Sequence, residues 1–169
     1  REALTEVRAQ LDTVSGSILN IRVGGNDLSH AFGLRRPANR TIYDLRPVAD
    51  ILIDIVAAFG TQYVVSGPVW EYYSGEGWEE GLRREMELDL LNGFTGKTVI
   101  HPNQIPVVNE MLRVSQRDYA DARAILNWDT GSGSLVSASE DGGRMNEYNT
   151  HSRWARRIVL RAERYGVRA

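Results

Sequence analysis

Apolar residues fall into two kinds of stretch, short continuous runs and longer segments at helical spacing. The first fourteen positions, REALTEVRAQLDTV, set Leu4, Val7 and Leu11 at helical spacing with no N-cap ahead of Arg1. A helix already under way is the expectation, as in an intact chain that starts so or in a fragment of a larger domain. Residues 17–23, SILNIRV, are apolar and branched, which predicts a buried strand. In DLRPVADILIDIVAAFG, Asp44 is the expected N-cap and Pro47 falls in the first turn. Leu45, Val48, Leu52, Ile55 and Phe59 mark the apolar face, and Gly60 stands at C′. A second strand is expected in YVVSGPV, residues 63–69.

GEGWEEGLRREMELDLLNGF carries Leu82, Met86 and Leu90 four residues apart, with Glu79/Arg83 and Glu80/Arg84 as i, i+4 pairs and Gly93 as the stop. KTVIHP, residues 97–102, completes a strand-helix-strand-helix-strand order, the pattern of a parallel α/β sheet. The rhythm then changes. PVVNEMLRV and QRDYADARAILNW predict consecutive helices with no strand between them, and TGSGS at 130–134 predicts a flexible break. SLVSASEDGGRMN predicts a hairpin turning at DGG. In NTHSRWARRIVLRAERYG, Trp154, Ile158, Ala162 and Tyr165 share one helical face.

Composition narrows the class. The chain has 169 residues, 42% hydrophobic and 25% charged, enough for one domain with a real core. A net charge of −2 advertises neither nucleic acid nor an anionic membrane. The absence of cysteine excludes disulfides and thiolate metal sites and fits the cytoplasm. No apolar run approaches the roughly 20 residues of a membrane helix, and nothing reads as a signal peptide. The C-terminal helix is expected to hold arginines 153, 156, 157, 161, 164 and 168, but the rest of the chain is net acidic. A solvated or subunit-contacting face is the expectation there; an RNA-binding helix would instead show steep salt dependence.

Chemistry concentrates in the loops after the three strands, which a parallel α/β fold gathers on one face. They begin GGND, SGPVWEYY and IHPNQ. Asp27 suits the cap of a helical turn that starts at Leu28, the commoner use of an Asp so placed, and is also suited to a hard cation such as Mg²⁺. Gly24 and Gly25 permit close backbone approach. His101 marks either a site or a satisfied hydrogen bond. Trp70, Tyr72 and Tyr73 either flank a ligand or roof the end of the sheet. His30 and His151 lack zinc-ligand spacing, no GxSxG elbow is present, and the Gly-Gly turn matches neither GxGxxG nor GxxxxGK[ST].

Four stretches in one order, VGGNDLSHAFGLRR, GFTGKTVIHPNQI, VVNEML and GGRMNEY, resemble the HpcH/HpaI aldolase/citrate lyase family. PVWEYY, GLRREMELDLLNGF and GKTVIHPNQI resemble its citrate lyase beta-subunit-like C–C bond lyases, the branch found beside tellurium-resistance genes. The likeness runs from residue 17 to the C-terminus. It implies an α/β fold, a (β/α)8 barrel with a C-terminal extension, and Mg²⁺-dependent making or breaking of a carbon–carbon bond in an oxo or hydroxy acid, often as a CoA thioester. By motif, Asp27 is the second metal carboxylate. Gly24, Gly25 and Asn26 receive the substrate carboxylate, and Pro68, Val69, Trp70 and His101 line the substrate. In CoA-lyase relatives an acidic residue of a G-x-M-x-D stretch reaches a neighbouring subunit's site for proton transfer. Gly143-Arg144-Met145-Asn146-Glu147 puts Glu147 there, with one more methylene.

The same resemblance places the family's other metal Glu and its substrate Arg upstream of residue 1. Three strands cannot close an eight-stranded barrel. The expectation is therefore the C-terminal part of a barrel over 1–129, then a lid and oligomerisation segment over 130–169, in a trimer or hexamer. The competing expectation is a non-catalytic module that binds CoA or a nucleotide, or scaffolds a stress-response complex. An upstream sequence without that Glu and Arg would favour it.

Overall fold

The computed structural model describes residues 2–128, 136–139 and 142–168. Packing divides the chain into two units, Arg1–Met111 and Leu112–Ala169. The expected boundary at 129/130 falls on residues outside the described set, as does the TGSGS break.

The first unit is built on three parallel strands in the order β1 (Ile21–Arg22), β2 (Val65–Gly67) and β3 (Gly96–Lys97). Ile21 lies opposite Val65, Ser66 opposite both Arg22 and Gly96, and Gly67 opposite Lys97. The sheet is as expected, but its strands are shorter than the apolar runs that predicted them. Residues Ser15–Ser17 form a 3₁₀ turn instead of the start of β1, where Ser17 N–H donates to Val14 O (2.9 Å). Ile21, Val23 and Val65 turn to one face and meet Val48, Leu52 and Phe59 of α3 (Arg46–Phe59), with Ile42, Tyr63 and Phe94 completing the core. Leu4 and Leu11 of α1 (Glu2–Asp12) pack on the same core, whereas Val7 faces solvent.

Pro47 lies in the first turn of α3, as expected, but Asp44 does not cap it. Asp44 instead closes the preceding 3₁₀ turn, accepting from Thr41 N–H (2.7 Å) and Thr41 Oγ1 (3.0 Å). The Thr41 amide bond holds the Asp44 carboxyl below the usual carboxylate range. Gly60 ends α3 in the right-handed region, φ −65°, so the left-handed stop expected there is absent. The stop of α4 (Trp78–Leu91) has that form: Gly93 sits at φ +97°. Phe94 N–H donates to Asp89 O (3.0 Å) and Gly93 N–H to Leu90 O (3.2 Å), the paired bonds of a Schellman motif. Between the first two strands lies the short α2 (Gly25–Ala31), and after β3 comes α5 (Gln104–Met111).

In the second unit, β4 (Val114–Ser115) precedes α6 (Gln116–Leu126), so the two helices expected to run consecutively are separated by a short strand. β4 pairs in parallel with β7 (Val167–Arg168), which takes Arg168 out of the helix predicted to hold it. Gly166, at φ +86°, turns the chain from α7 (Tyr148–Tyr165) into β7. Ser115 Oγ accepts from Asp118 N–H (3.0 Å), capping α6. Ala122 and Ile125 meet Ala155, Ile158 and Ala162 of α7, and the alanines admit close helix packing. The expected hairpin is present as β5 (Val136–Ala138) antiparallel to β6 (Met145–Glu147). No described helix is long and apolar enough to cross a membrane.

Gly81 on α4 shows where packing overrides helix propensity. A Cβ there would lie 2.6 Å from Ala38 O and collide with the Trp70 ring. Alanine ordinarily stabilises a helix by about 1 kcal/mol over glycine, but overpacking costs about 1–3 kcal/mol. Gly81→Ala is expected to lower the urea midpoint, and an unchanged or raised midpoint would contradict this packing.

Candidate active site

β1 ends at Arg22, and the chain turns at once. Gly25 N–H donates to Val23 O (3.0 Å), and α2 begins at Gly25 with Gly24 as its N-cap. Both glycines have ordinary negative φ, so space, not left-handed geometry, requires them. A Cβ on Gly24 would strike the Asp27 carboxylate; one on Gly25 would strike Pro68 and lie 2.7 Å from Ile42 Cδ1. The turn is thus moulded between Asp27 and the residue that follows β2. Asp27 is the third residue of α2, not a cap before Leu28, and its carboxylate is exposed. A carboxylate in a first helical turn is favoured by the helix dipole.

Arg36 connects this turn to the next strand end. Its side chain is wholly buried, Nη1 donates to Asn26 Oδ1 (3.4 Å), and Nη2 donates to Val69 O and to Glu85 Oε1 (3.3 Å). Nε lies 3.0 Å from Glu85 Oε2, close enough for an ion pair though not aligned for a hydrogen bond. Glu85 also accepts from Ile42 N–H (2.8 Å) and from Lys97 Nζ (2.8 Å), and Lys97 reaches Asp89 Oδ2 (2.7 Å). Tyr43 OH donates to Asp89 Oδ1 (2.7 Å). Burial pushes the Asp89 carboxyl up against the pull of Lys97, and burial beside Asp89 pushes the Tyr43 phenol up as well. Two cations and two carboxylates thus share one nearly dry cluster.

The remaining expected residues divide by burial. Trp70 is wholly buried: its Nε1–H donates to Trp78 O (2.9 Å), Arg36 lies 5.2 Å over its ring, and Tyr72 packs at 5.3 Å. Its ring roofs the end of the sheet in this arrangement. Gln104, also buried, donates to Trp70 O (2.8 Å) and Tyr72 O (2.9 Å) and accepts from Ile100 N–H (2.9 Å), so it fastens the loop after β2 to the loop after β3. His101 is half-buried and stacks on Tyr73 at 4.2 Å, with Nδ1 accepting from Asn103 N–H (3.2 Å). Gly24, Gly25, Asn26, Pro68 and Val69 therefore come together, while Trp70 and His101 brace the neighbouring loops. A groove lined by Asp12, Ile18, Leu19, Gln62 and Val64 lies at the other, N-terminal end of the strands.

Glu147 belongs to the second unit. It ends β6 and caps α7 with extended backbone, its N–H donating to His151 Nδ1 (2.9 Å). That bond places the proton of the neutral His151 ring on Nε2.

Asp27 offers the oxygen chemistry that Mg²⁺ takes through one or two carboxylates while keeping several waters. Among the described residues no group of three His, Asp or Glu side chains could hold a metal ion, so Asp27 stands there as a lone carboxylate suited to such a cation.

A parallel β/α order with its polar loops at the strands' C-terminal ends defines an α/β protein built on a parallel sheet. The chain matches the family described as C-C bond lyase of the TIM-barrel fold over residues 1–167, and it belongs to that family. It is 38% identical to the L-malyl-CoA/beta-methylmalyl-CoA lyase of one Cereibacter sphaeroides strain over 74 residues, 43% of this chain and 22% of that enzyme. The enzyme of a second strain is 36% identical over the same length. CitE from Mycobacterium tuberculosis, solved in complex with magnesium, acetoacetate and coenzyme A, superposes with a TM-score of 0.61 at 28% identity. The match covers 86% of this chain and 52% of CitE, so the chain spans about half the length of that relative.

Arg36, Glu85, Asp89, Lys97 and Gln104 have no place among the expected site residues. A signal existed for two of them: Glu85 and Asp89 are four apart and share the face of Leu82 and Met86. Removing one member of the cluster isolates a buried charge, which costs about 3–5 kcal/mol. Lys97→Met is expected to lose that much stability in urea unfolding, and Lys97→Met with Asp89→Leu to recover a large part of it. A Lys97→Met loss below about 1 kcal/mol would deny the cluster this role.

Proposed function

We propose that the protein carrying this chain is a Mg²⁺-dependent lyase that makes or breaks a carbon–carbon bond beside a carbonyl, with an oxo or hydroxy acid, as its CoA thioester, for substrate. The observation that carries this reading is the exposed Asp27 carboxylate, at the C-terminal end of a strand in a glycine turn fixed from both sides, in a member of the C-C bond lyase family. Malyl-CoA lyase relatives and CitE with its magnesium, acetoacetate and coenzyme A support the substrate class.

Asp27 would hold the cation together with carboxylate from outside the described residues. When bound, Mg²⁺ supplies the positive charge that polarises a substrate carbonyl. The first-turn N–H groups of Asn26 and Asp27 have no acceptor within α2 and can receive the substrate carboxylate. Gly24 and Gly25 keep side-chain bulk out of that approach. Arg36, through Asn26 and Val69, keeps the two loops in register. Glu147 is read as the group that holds or delivers the proton at the α-carbon of the thioester fragment.

On the same reading the chain is the C-terminal part of the barrel over 1–129, and residues 130–169 form the lid that carries Glu147 to a neighbouring subunit, in a trimer or hexamer. Pro68, Val69 and His101 then border the acid, and Trp70 shapes their loop from beneath. The absence of cysteine supports the cytoplasm, and the branch beside tellurium-resistance genes remains the expected subgroup.

The test is malyl-CoA cleavage by the full-length protein with Mg²⁺. Asp27→Ala is expected to reduce turnover at least about 100-fold. Glu147→Gln is expected to reduce kcat about 100-fold or more with KM little changed. Full activity in Asp27→Ala would overturn the proposal.

A further inference from the structure

Each face of the three-stranded sheet carries a strand-borne cation, and the two are treated in opposite ways. On the helix-covered face, Lys97 sits between two carboxylates at 2.7 and 2.8 Å. Arg35, Arg36, Arg46 and Arg83 of the same unit likewise reach carboxylates at 2.7 to 3.0 Å. Arg22, on the other face, does not. Among the described residues its one hydrogen-bond partner is Thr98 Oγ1, at 3.4 Å from Nε, and its side chain is exposed.

Among the described residues, the surroundings of Arg22 are polar and no carboxylate pairs with it. Strand register sets Ser66 directly across from it and Gly96 beyond Ser66, and a Cβ on Gly96 would come within 3.0 Å of Ser66 Oγ. Asn20 Nδ2 donates to the same hydroxyl (2.7 Å). The row therefore presents a guanidinium, two hydroxyls and an amide. It sits where a barrel fold directs side chains inward, since helices cover the opposite face. Arg22 is also two residues before Gly24, roughly 7 Å along the strand from the turn that presents Asp27. A planar fork of donors without a carboxylate, beside hydroxyls, is suited to an oxyanion bound through two parallel hydrogen bonds.

We propose that Arg22 is a specificity-determining residue that receives a second oxyanion of the acid substrate, remote from the carboxylate held at the Gly24–Asp27 turn, with Thr98 and Ser66 beside it. The protein would then select acids with two anionic ends over those with one. The assignment rests on the lyase reading only for where the first carboxylate lies.

The experiment is calorimetric titration of the full-length protein with Mg²⁺ and three 2-oxo acids: pyruvate, oxaloacetate and 3-phosphonopyruvate. A charge-assisted pair should make one of the two-ended acids bind about 10–100-fold more tightly than pyruvate. Which one prevails tells whether the second oxyanion is a carboxylate or a phosphonate-like group. Arg22→Met should erase the preference while changing pyruvate affinity less than about threefold, because it removes only the distal contact. Arg22→Lys, which keeps the charge without the fork, should retain part of the preference and serves if Arg22→Met does not fold. Mg²⁺-dependent binding of all three acids without preference, or a preference that survives both substitutions, overturns the Arg22 assignment alone. Binding of none of the three overturns it together with the lyase reading.

Discussion

The cluster of Arg36, Glu85, Lys97 and Asp89 is the constraint on which the first unit depends. Four ionised groups out of water are tolerable only if each is paired and hydrogen-bonded, since desolvation costs several kcal/mol per ion. Here the formal charges cancel, and the spare oxygens are taken by Ile42 N–H and Tyr43 OH. Geometry follows from that requirement. Lys97 fixes β3 against α4, Glu85 fixes the start of the 3₁₀ turn, and Arg36 fixes the loop that follows α2. Gly67 has to lack a side chain, because a Cβ would lie 2.6 Å from Asp89 Oδ2. Even the aromatic roof is tied in, with Trp70 beneath the Arg36 guanidinium.

This arrangement explains how a very short strand can present a defined loop. β1 has only two residues, too few for its ladder to hold the following turn in place. Arg36 supplies the missing restraint through Asn26 on one side and Val69 on the other. Pro68 then fills the space left open at Gly25, and Asp27 the space at Gly24. A loop built so is positioned by packing and buried charge, and the backbone that carries the exposed carboxylate is held from both sides. Preorganisation of that kind lets a site hold a ligand without first ordering itself.

Much of this was legible from residue order alone, and the failures have physical causes. The parallel sheet, the α3 and α4 faces, the Gly93 stop and the hairpin all follow from local periodicity and turn chemistry. Asp44 misled because its side chain serves Thr41, one turn earlier, and both uses look alike in sequence. β4 and β7 are two residues each and exist only through pairing between distant segments, which no local pattern encodes. The buried charges were missed for a similar reason. Glu85 and Asp89 lie on the apolar face of Leu82 and Met86, but their partners Arg36 and Lys97 come from distant segments that no local pattern links to that face. Trp70 had two readings, and its burial under Arg36 fits the roof.

The cancellation within the cluster also bears on chemistry at the strand ends. A buried group of net charge zero exerts a field that falls off steeply, so it fixes shape without biasing the potential of the open face. The salt bridge between Arg35 and Glu71 is likewise neutral as a pair. What remains near the glycine turn, among the described residues, are two formal charges of opposite sign without such partners, Asp27 in the first turn of α2 and Arg22 at the end of β1. One suits a cation and the other an oxyanion. A molecule carrying both complements, such as a metal-chelated acid with a further anionic end, would neutralise both at once. Had Arg22 been matched by an acid as Lys97 is, the face would express only the preference of Asp27 for a cation.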